Sequence, residues 1–219
     1  MLFRSPHDTE SLISLFSKEN LALVGSHFGR IEDLKTDNKT NMHTDQLGYT
    51  NAAVDFHTDQ PFIENTPRFQ MLHCIQVADQ GGESGIANAK QAALYLKSID
   101  PNAFDILCQT PVTFHRKQHA FESIRKGPLI TLRGEDVYQV RFSYFTMAPH
   151  TLPFDQMIPW YQAYRRYINL VKDPRHHYSF QLQKGEFVLY DNFIMFHARK
   201  AFTGSRWMKG VYFTPKSTP

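Results

Sequence analysis

The sequence predicts a mainly β chain with flanking helices, folded as a double-stranded β-helix, or jelly roll. Three observations carry this. Short apolar runs rich in aromatic and β-branched residues recur along the 219 residues, which include 18 Phe and 10 Tyr; such residues suit a pleated, half-buried surface. Few stretches show helical spacing. No internal repeat, low-complexity tract or linker interrupts the chain, so the strands have only one another to close against. A closed jelly roll can bring residues from distant strands to one mouth.

Taken in order, Ser5-Pro6-His7-Asp8 reads as a helix start: a capping serine, proline at the first helical position and an acidic first turn. Leu12, Ile13, Leu15 and Phe16 then form a helical stripe. Leu21 to Gly25 is a short apolar run. Residues 30–48, rich in Asp, Asn, Thr and Lys, read as a long polar loop, a length usually reserved for function in a compact domain. Strands are expected at Tyr49–Phe56, at Phe69–Val77 and, after the Gly81-Gly82 turn, at Ser84–Asn88. Helices are expected at Ala89–Ile99 and Pro101–Cys108, separated by Asp100-Pro101. Further strands follow at Val112–Arg116, Leu129–Leu132 and Tyr138–Tyr144. Pro153–Val171 is the longest helical segment; its stripe of Trp160, Tyr164, Tyr167, Ile168 and Val171 reads as core. Four closing strands are expected at Tyr178–Gln183, Phe187–Tyr190, Phe193–Phe202 and Arg206–Phe213.

Composition narrows the class. Apolar residues make up 42% and aromatics 14%, which places the chain among globular proteins and not disordered ones. The length fits one domain with a sizeable core. The net charge of +3 is dispersed, a poor footprint for nucleic acid. Cys74 and Cys108 lie in apolar segments and are expected to be buried and reduced. No signal-peptide core and no membrane-length apolar segment is present in the sequence, so the expected location is cytoplasmic.

The chemistry gathers in two places. In Val54-Asp55-Phe56-His57-Thr58-Asp59-Gln60-Pro61-Phe62, a histidine and an aspartate two residues apart end a strand-like segment. Period-2 geometry turns residues i and i+2 to one face, so His57 and Asp59 can converge. Far along the chain, Tyr190 to Phe202 carries His197 on an apolar strand, and Arg206 follows on the next one. Two histidines and one carboxylate make the facial triad that leaves three positions open on a non-haem Fe(II). Together these form the pattern of an iron and 2-oxoglutarate dependent oxygenase. His115 with His119, and His176 with His177, read as satisfied or exposed histidines, while Arg199, two residues beyond His197, is open to an ancillary role.

These elements, in order, resemble the γ-butyrobetaine hydroxylase branch of the taurine dioxygenase-like 2-oxoglutarate oxygenases. The matching stretches are Tyr49-Thr50 before His57-Thr58-Asp59, then Met71-Leu72-His73-Cys74-Ile75 and Gly81-Gly82-Glu83-Ser84. Asp191-Asn192 before His197-Ala198-Arg199 follows, and Arg206 with Gly210-Val211-Tyr212 completes the set. The resemblance implies that His57, Asp59 and His197 ligate Fe(II) and carry catalysis. It implies that Arg206 pairs with the distal carboxylate of 2-oxoglutarate, for which a rigid guanidinium fork is suited, and that Ser84 hydrogen-bonds this cosubstrate. Tyr49 and Tyr212 match two positions of an aromatic cage for a trimethylammonium group.

Of the departures, the one at Ala198 is mild and the other two concern the other end of the substrate. Ala198 stands where the family often has glycine. Gln60 replaces an aromatic, and Phe142-Ser143-Tyr144-Phe145-Thr146 lacks the family's asparagines. The expected substrate is thus a small trimethylammonium compound whose acidic end differs from that of γ-butyrobetaine, a phosphonate or a bulkier carboxylate. The family's small N-terminal domain is not represented, so residues 1–219 are expected to form a single oxygenase catalytic domain, N-terminally shortened relative to the family. The expected partners are substrate, 2-oxoglutarate and O2, without nucleic acid or membrane; a homodimer is allowed. Two other readings stay open on sequence: a non-catalytic jelly-roll paralogue that binds a ligand or partner, and a hydroxylase of protein side chains.

Overall fold

The computed structural model describes residues 2–4, 8–36 and 47–216, the first three by their backbone alone. The chain begins with β1 (Leu2–Arg4), α1 (Thr9–Lys18), β2 (Leu21–Val24) and β3 (Glu32–Thr36). After a 3-10 turn at Leu47–Tyr49 come β4 (Val54–His57), β5 (Phe69–Gln76), β6 (Gln80–Gly81) and β7 (Ser84–Asn88). Next are α2 (Ala89–Ile99), α3 (Pro101–Gln109), β8 (Val112–Gln118), β9 (Phe121–Gly127), β10 (Ile130–Arg133) and β11 (Asp136–Val140). The last part holds α4 (Phe154–Lys172), β12 (His177–Phe180), β13 (Glu186–Asp191), β14 (Met195–Arg199), β15 (Phe202–Thr203) and β16 (Arg206–Pro215).

Two antiparallel sheets carry the architecture. The larger has the order β1-β13-β5-β16-β2, with β3 also paired to β16; the smaller has the order β12-β7-β14-β4. Consecutive neighbours in each are far apart in sequence, as expected of a jelly roll. β16 shows how the sequence sorts the two faces. Val211 and Phe213 pack with Met71 against Leu12 and Ile13 of α1, while Arg206, Met208 and Tyr212 turn to the cavity between the sheets. On the other side, α2, α3 and α4 cover the smaller sheet. Leu96, Phe104, Trp160 and Tyr167 are fully buried there beside Phe196. Each large apolar side chain removed from water in this way contributes about 1.5–3 kcal/mol. The aromatic stripe of α4 is core, as its spacing predicts, and the fold class is the predicted one.

Several local expectations differ from the structure. Within residues 30–48, Glu32–Thr36 is a strand paired with Gly210–Arg206. Its polar composition hid it, because Glu32 and Thr36 are buried beside the cavity instead of facing water; residues 37–46 lie outside the described residues. The strand expected at Tyr49–Phe56 starts only at Val54, and Tyr49 belongs to the 3-10 turn. α1 is capped by Asp8, whose carboxylate accepts from Ser11 N at 2.8 Å; Ser5, Pro6 and His7 lie outside the described residues. Tyr138–Tyr144 ends as a strand at Val140, and Phe193–Phe202 divides into β14 and β15. β9, not anticipated, forms a hairpin with β8 through Gln118–Phe121, a turn without the Gly or Asn that marks one in sequence. Both cysteines are free thiols; Cys74 is buried and Cys108 half-buried. Among the described residues, no helix is long and apolar enough to cross a membrane.

Candidate active site

His57 ends β4, directly across the ladder from His197 of β14. Its Nδ1 lies 2.8 Å from the Asp55 carbonyl. A carbonyl can only accept, so Nδ1 carries the proton and Nε2 keeps its lone pair facing inward. Asp59 arrives by a different route from the one expected. The strand stops at His57, so the pleat does not align the two residues. Instead, Asn192, fully buried, grips the Asp59 peptide from the turn before β14. Its Oδ1 accepts from Asp59 N at 2.8 Å, and its Nδ2 donates to the carbonyls of Asp59 and Pro67 at 3.0 and 3.2 Å. Thr58 is held between them, its N and Oγ1 bonding to Phe142 O and its Oγ1 accepting from Phe142 N.

The three side chains then meet. Asp59 Oδ1 is 3.3 Å from His57 Nε2 and 3.6 Å from His197 Nε2, and one ligand atom from each residue lies within 4.8 Å of the others. Among the described residues this is the only such cluster of His, Cys, Asp or Glu. The second carboxylate oxygen is held elsewhere: Tyr212 donates its hydroxyl to Asp59 Oδ2 at 2.7 Å. Gln70 Nε2 donates in turn to the Tyr212 hydroxyl at 3.3 Å, and the Tyr190 hydroxyl donates to Gln70 Oε1. Burial alone would raise the Asp59 carboxyl, but the His197 and His57 imidazoles and the Tyr212 hydroxyl override it and hold it below the usual carboxylate range. Burial, reinforced by His57, pushes His197 down to about 3, so its imidazole is neutral near neutral pH. Two imidazoles and one carboxylate oxygen, converging from one side, fit a divalent iron with open positions.

A buried guanidinium completes this floor. Arg206, the first residue of β16, is 8% exposed and lines the same cavity as the triad. Among the described residues no carboxylate pairs with it, and burial lowers it to about 10. An unpaired buried charge is costly, so this position invites an anion. Ser84, the first residue of β7, lines the cavity too. It is delivered by a tight turn in which Gly81 has φ +75° and where a Cβ would lie 2.3 Å from Ala201 O; only glycine fits. Arg199 has a different employment. Its guanidinium donates to the carbonyls of Leu47, Gly48, Thr50 and Ala52, the last two at 2.8 and 2.5 Å. It therefore fixes the 3-10 turn whose Leu47 and Gly48 line the cavity and which ends at Tyr49.

The remaining wall holds residues that sequence reasoning did not assign. Glu32, 4% exposed, stands opposite Gly210, where a Cβ would lie in ordinary van der Waals contact with the Glu32 Cβ at 3.6 Å. Glu32 bonds to Tyr49, and burial together with this carboxylate raises the Tyr49 hydroxyl. Tyr49 meets Phe28 edge to face at 6.2 Å, and the adjoining His27 stacks on Phe121 at 4.0 Å. Burial, then the nearby Arg116, lowers His27. The only sequence signal for Glu32 was its place two residues before Leu34 and four before Thr36, a period of two inside a polar run. His115 pairs with Glu122 at 2.9 Å, and His176 bonds to Leu170 O, so neither joins a metal-binding group.

The comparisons with known proteins follow this geometry. The chain matches the family model "Taurine catabolism dioxygenase TauD, TfdA family" over residues 2–212. A γ-butyrobetaine dioxygenase from Pseudomonas sp. (strain AK-1) is 32% identical over 211 residues, covering 94% of this chain and 54% of that protein. A trimethyllysine dioxygenase from Meyerozyma guilliermondii is 28% identical over 214 residues, covering 94% and 51%. The chain thus spans about half the length of the curated relatives it matches. Among solved structures, the non-heme iron oxygenase OrfP in complex with Fe, succinate and (3S)-hydroxy-L-Arg aligns with a TM-score of 0.73 at 18% identity, over 94% of this chain and 64% of that one. An asparagine oxygenase in complex with Fe(II), 2S,3S-3-hydroxyasparagine and succinate aligns at 0.65 and 18%, over 83% and 56%. These two likenesses establish the fold.

Proposed function

We propose that this chain, which belongs to the taurine catabolism dioxygenase TauD, TfdA family, is the catalytic domain of an Fe(II)- and 2-oxoglutarate-dependent dioxygenase that hydroxylates a small trimethylammonium compound. The observation that carries the proposal is the 2-His-1-carboxylate cluster sharing one cavity with a buried arginine that pairs with no carboxylate among the described residues. His57, Asp59 and His197 would hold the iron, Asp59 through Oδ1. Arg206 would pair with the distal carboxylate of 2-oxoglutarate, with Ser84 as a further hydrogen-bonding partner. Bound iron and 2-oxoglutarate supply the oxidation: dioxygen is consumed, the cosubstrate becomes succinate and CO2, and one oxygen atom enters a substrate C–H bond.

The protein's share is geometry and exclusion of water. The Asp55 carbonyl fixes the tautomer of His57, and Asn192 and Tyr212 fix the peptide and the outer oxygen of Asp59. Such outer partners set ligand orientation and basicity. At the substrate end, the rings of Tyr49 and Tyr212 would face the head group. A quaternary ammonium donates no hydrogen bonds, so aromatic faces suit it, each worth about 0.5–2 kcal/mol. The buried Glu32 carboxylate beside Tyr49 adds a negative potential that supports a cationic head group. The relatives' names, γ-butyrobetaine and trimethyllysine dioxygenase, support the same substrate class.

Anaerobic addition of Fe(II) and 2-oxoglutarate should produce a weak metal-to-ligand absorption, lost in His197→Ala with the fold intact by circular dichroism. Succinate release should then favour a trimethylammonium compound over its neutral tert-butyl isostere. Undiminished absorption in the variant would refute the ligand assignment, and equal release from the two compounds would refute the head-group assignment.

A further inference from the structure

One part of the cavity wall is made where two chain tips meet. The first tip joins β2 to β3. There Ser26 and Gly29 exchange backbone bonds of 3.0 and 2.9 Å, and the Phe28 amide donates to Ser26 Oγ at 3.1 Å. This tight turn presents His27 and Phe28, both of which line the cavity. The second tip is the β8–β9 hairpin, closed between Gln118 and Phe121. Ser123 Oγ donates to Phe62 O at 2.7 Å and ties this hairpin to a third lining residue, Phe62.

Side chains join the two tips. The His27 imidazole and the Phe121 ring are stacked, 4.0 Å apart and 8° from parallel. Phe62 meets His27 edge to face at 6.0 Å and Phe121 at 5.9 Å, and Gln118 hydrogen-bonds to the imidazole. Phe28 leans on His27 at 3.8 Å and meets Tyr49 edge to face at 6.2 Å, so an aromatic wall runs from Tyr49 to the hairpin. His27 is backed by Phe121 and cannot retreat while the stack holds. Burial, then Arg116, lowers His27 from its ordinary value of 6.5, so near neutral pH it sets no positive charge against a cation.

We propose that His27, held in place by Phe121, is the size-selecting wall of the head-group end: it admits methyl groups on the ammonium nitrogen and rejects larger alkyl groups. The inference rests on the trimethylammonium reading above and adds an upper limit to the size of the head group. Aromatic faces attract a quaternary ammonium through its charge, which trimethyl and triethyl groups share. Telling them apart takes a wall that does not yield, an element set against the wrong ligand. One methylene too many in a closely fitting pocket is worth about 10–200-fold. A lone imidazole at a loop tip would swing aside; one stacked on a second hairpin, with Phe62 across its edge, resists. Phe121 acts through His27 and is a positioning residue.

The test uses the protein loaded anaerobically with Fe(II) and 2-oxoglutarate, its absorption confirming that metal and cosubstrate are in place. Calorimetry then compares γ-butyrobetaine, its triethylammonium analogue and its neutral tert-butyl isostere. In the wild type the trimethylammonium compound should bind at least about tenfold more tightly than the triethylammonium one. Phe121→Ala should reduce that ratio by about two- to tenfold, the worth of a stacked aromatic pair. Phe121→Tyr, which keeps the stack, should preserve it. His27→Ala removes the wall itself and should reduce the ratio at least as far; it decides alone if Phe121→Ala does not fold. Ile124→Ala, at a position 61% exposed on the same hairpin, should leave the ratio unchanged. A wild-type ratio near one, binding of neither cation, a ratio that survives the His27 and Phe121 truncations, or an equal fall in Ile124→Ala would overturn the wall. Equal binding of the trimethylammonium and tert-butyl compounds would instead count against the head-group reading, and loss of the absorption against the oxygenase reading.

Discussion

Tyr212→Phe separates two roles that one residue would combine. The substitution keeps the aromatic ring at the cavity wall and deletes only the hydroxyl that donates to Asp59 Oδ2 at 2.7 Å and accepts from Gln70 at 3.3 Å. The first is a hydrogen bond to a carboxylate, worth about 1.5–3 kcal/mol. Since about 1.4 kcal/mol is a factor of ten, its loss corresponds to roughly ten- to a hundredfold, if all of it is felt by the metal. Two effects act in the same direction. Without the hydroxyl, Asp59 can rotate its outer oxygen toward the imidazoles, and the Gln70 amide loses its acceptor. Removing outer-shell partners of metal ligands elsewhere typically costs about 10–100-fold in affinity. We therefore expect the apparent Kd for Fe(II), read from the absorption of the anaerobic 2-oxoglutarate complex, to rise by about ten- to a hundredfold. The preference for a trimethylammonium compound over its tert-butyl isostere should be unchanged, since the ring face remains. An unchanged iron affinity would refute a positioning role for the hydroxyl. A lost head-group preference would mean that the hydroxyl, and not the ring, faces the substrate.

Arg206→Ala should weaken 2-oxoglutarate binding by at least about tenfold, with iron binding little altered, as followed by the same absorption at rising cosubstrate concentration; unchanged affinity would move the carboxylate anchor elsewhere. A third expectation concerns pH. Burial lowers His150, which packs 4.1 Å from Trp160 and whose own Nε2 has no hydrogen-bond partner among the described residues. As pH falls below the ordinary histidine value of 6.5, the unfolded chain takes up a proton that the folded chain still refuses, so stability declines with acidification. His27 and His73, also lowered by burial, add to the slope. His150→Phe should flatten it, seen as a smaller difference in urea stability between about pH 7.5 and 5.5; an identical difference would show that His150 titrates alike in both states.

The parts of the site that the sequence displayed were those with a short-range signature. His57 and Asp59 are two residues apart, and His197 and Arg206 stand on consecutive apolar strands, so chemistry and spacing could be read together. The boundary between α2 and α3 was visible for the same reason, since Asp100 caps the second helix and Pro101 opens it. What stayed hidden depends on pairing across the fold. Glu32 and Thr36 look like loop residues until Gly210 and Arg206 lie opposite them. Asn192 looks like a turn residue, and only the folded chain reveals that its amide holds Asp59. Arg199 shares a sheet face with His197 in the period-2 sense, yet its fork is spent on four carbonyls of residues 47–52. No local pattern encodes such contacts, because their partners lie more than a hundred residues away.

The register of β4 has a kinetic consequence. β4 is four residues long and forms the edge of its sheet, paired only with β14 and across an irregular register. Short edge strands open most readily. Yet His57 on this edge faces His197 on its neighbour, so an ion held by both would bridge the two strands. Such an ion binds the closed edge and not the open one, and mass action then suppresses the opening. The converse also holds: parting the edge from the sheet separates the two histidines and weakens the hold on the ion. The hydrogen-exchange protection of the amides from Val54 to His57 should therefore rise when the metal is bound.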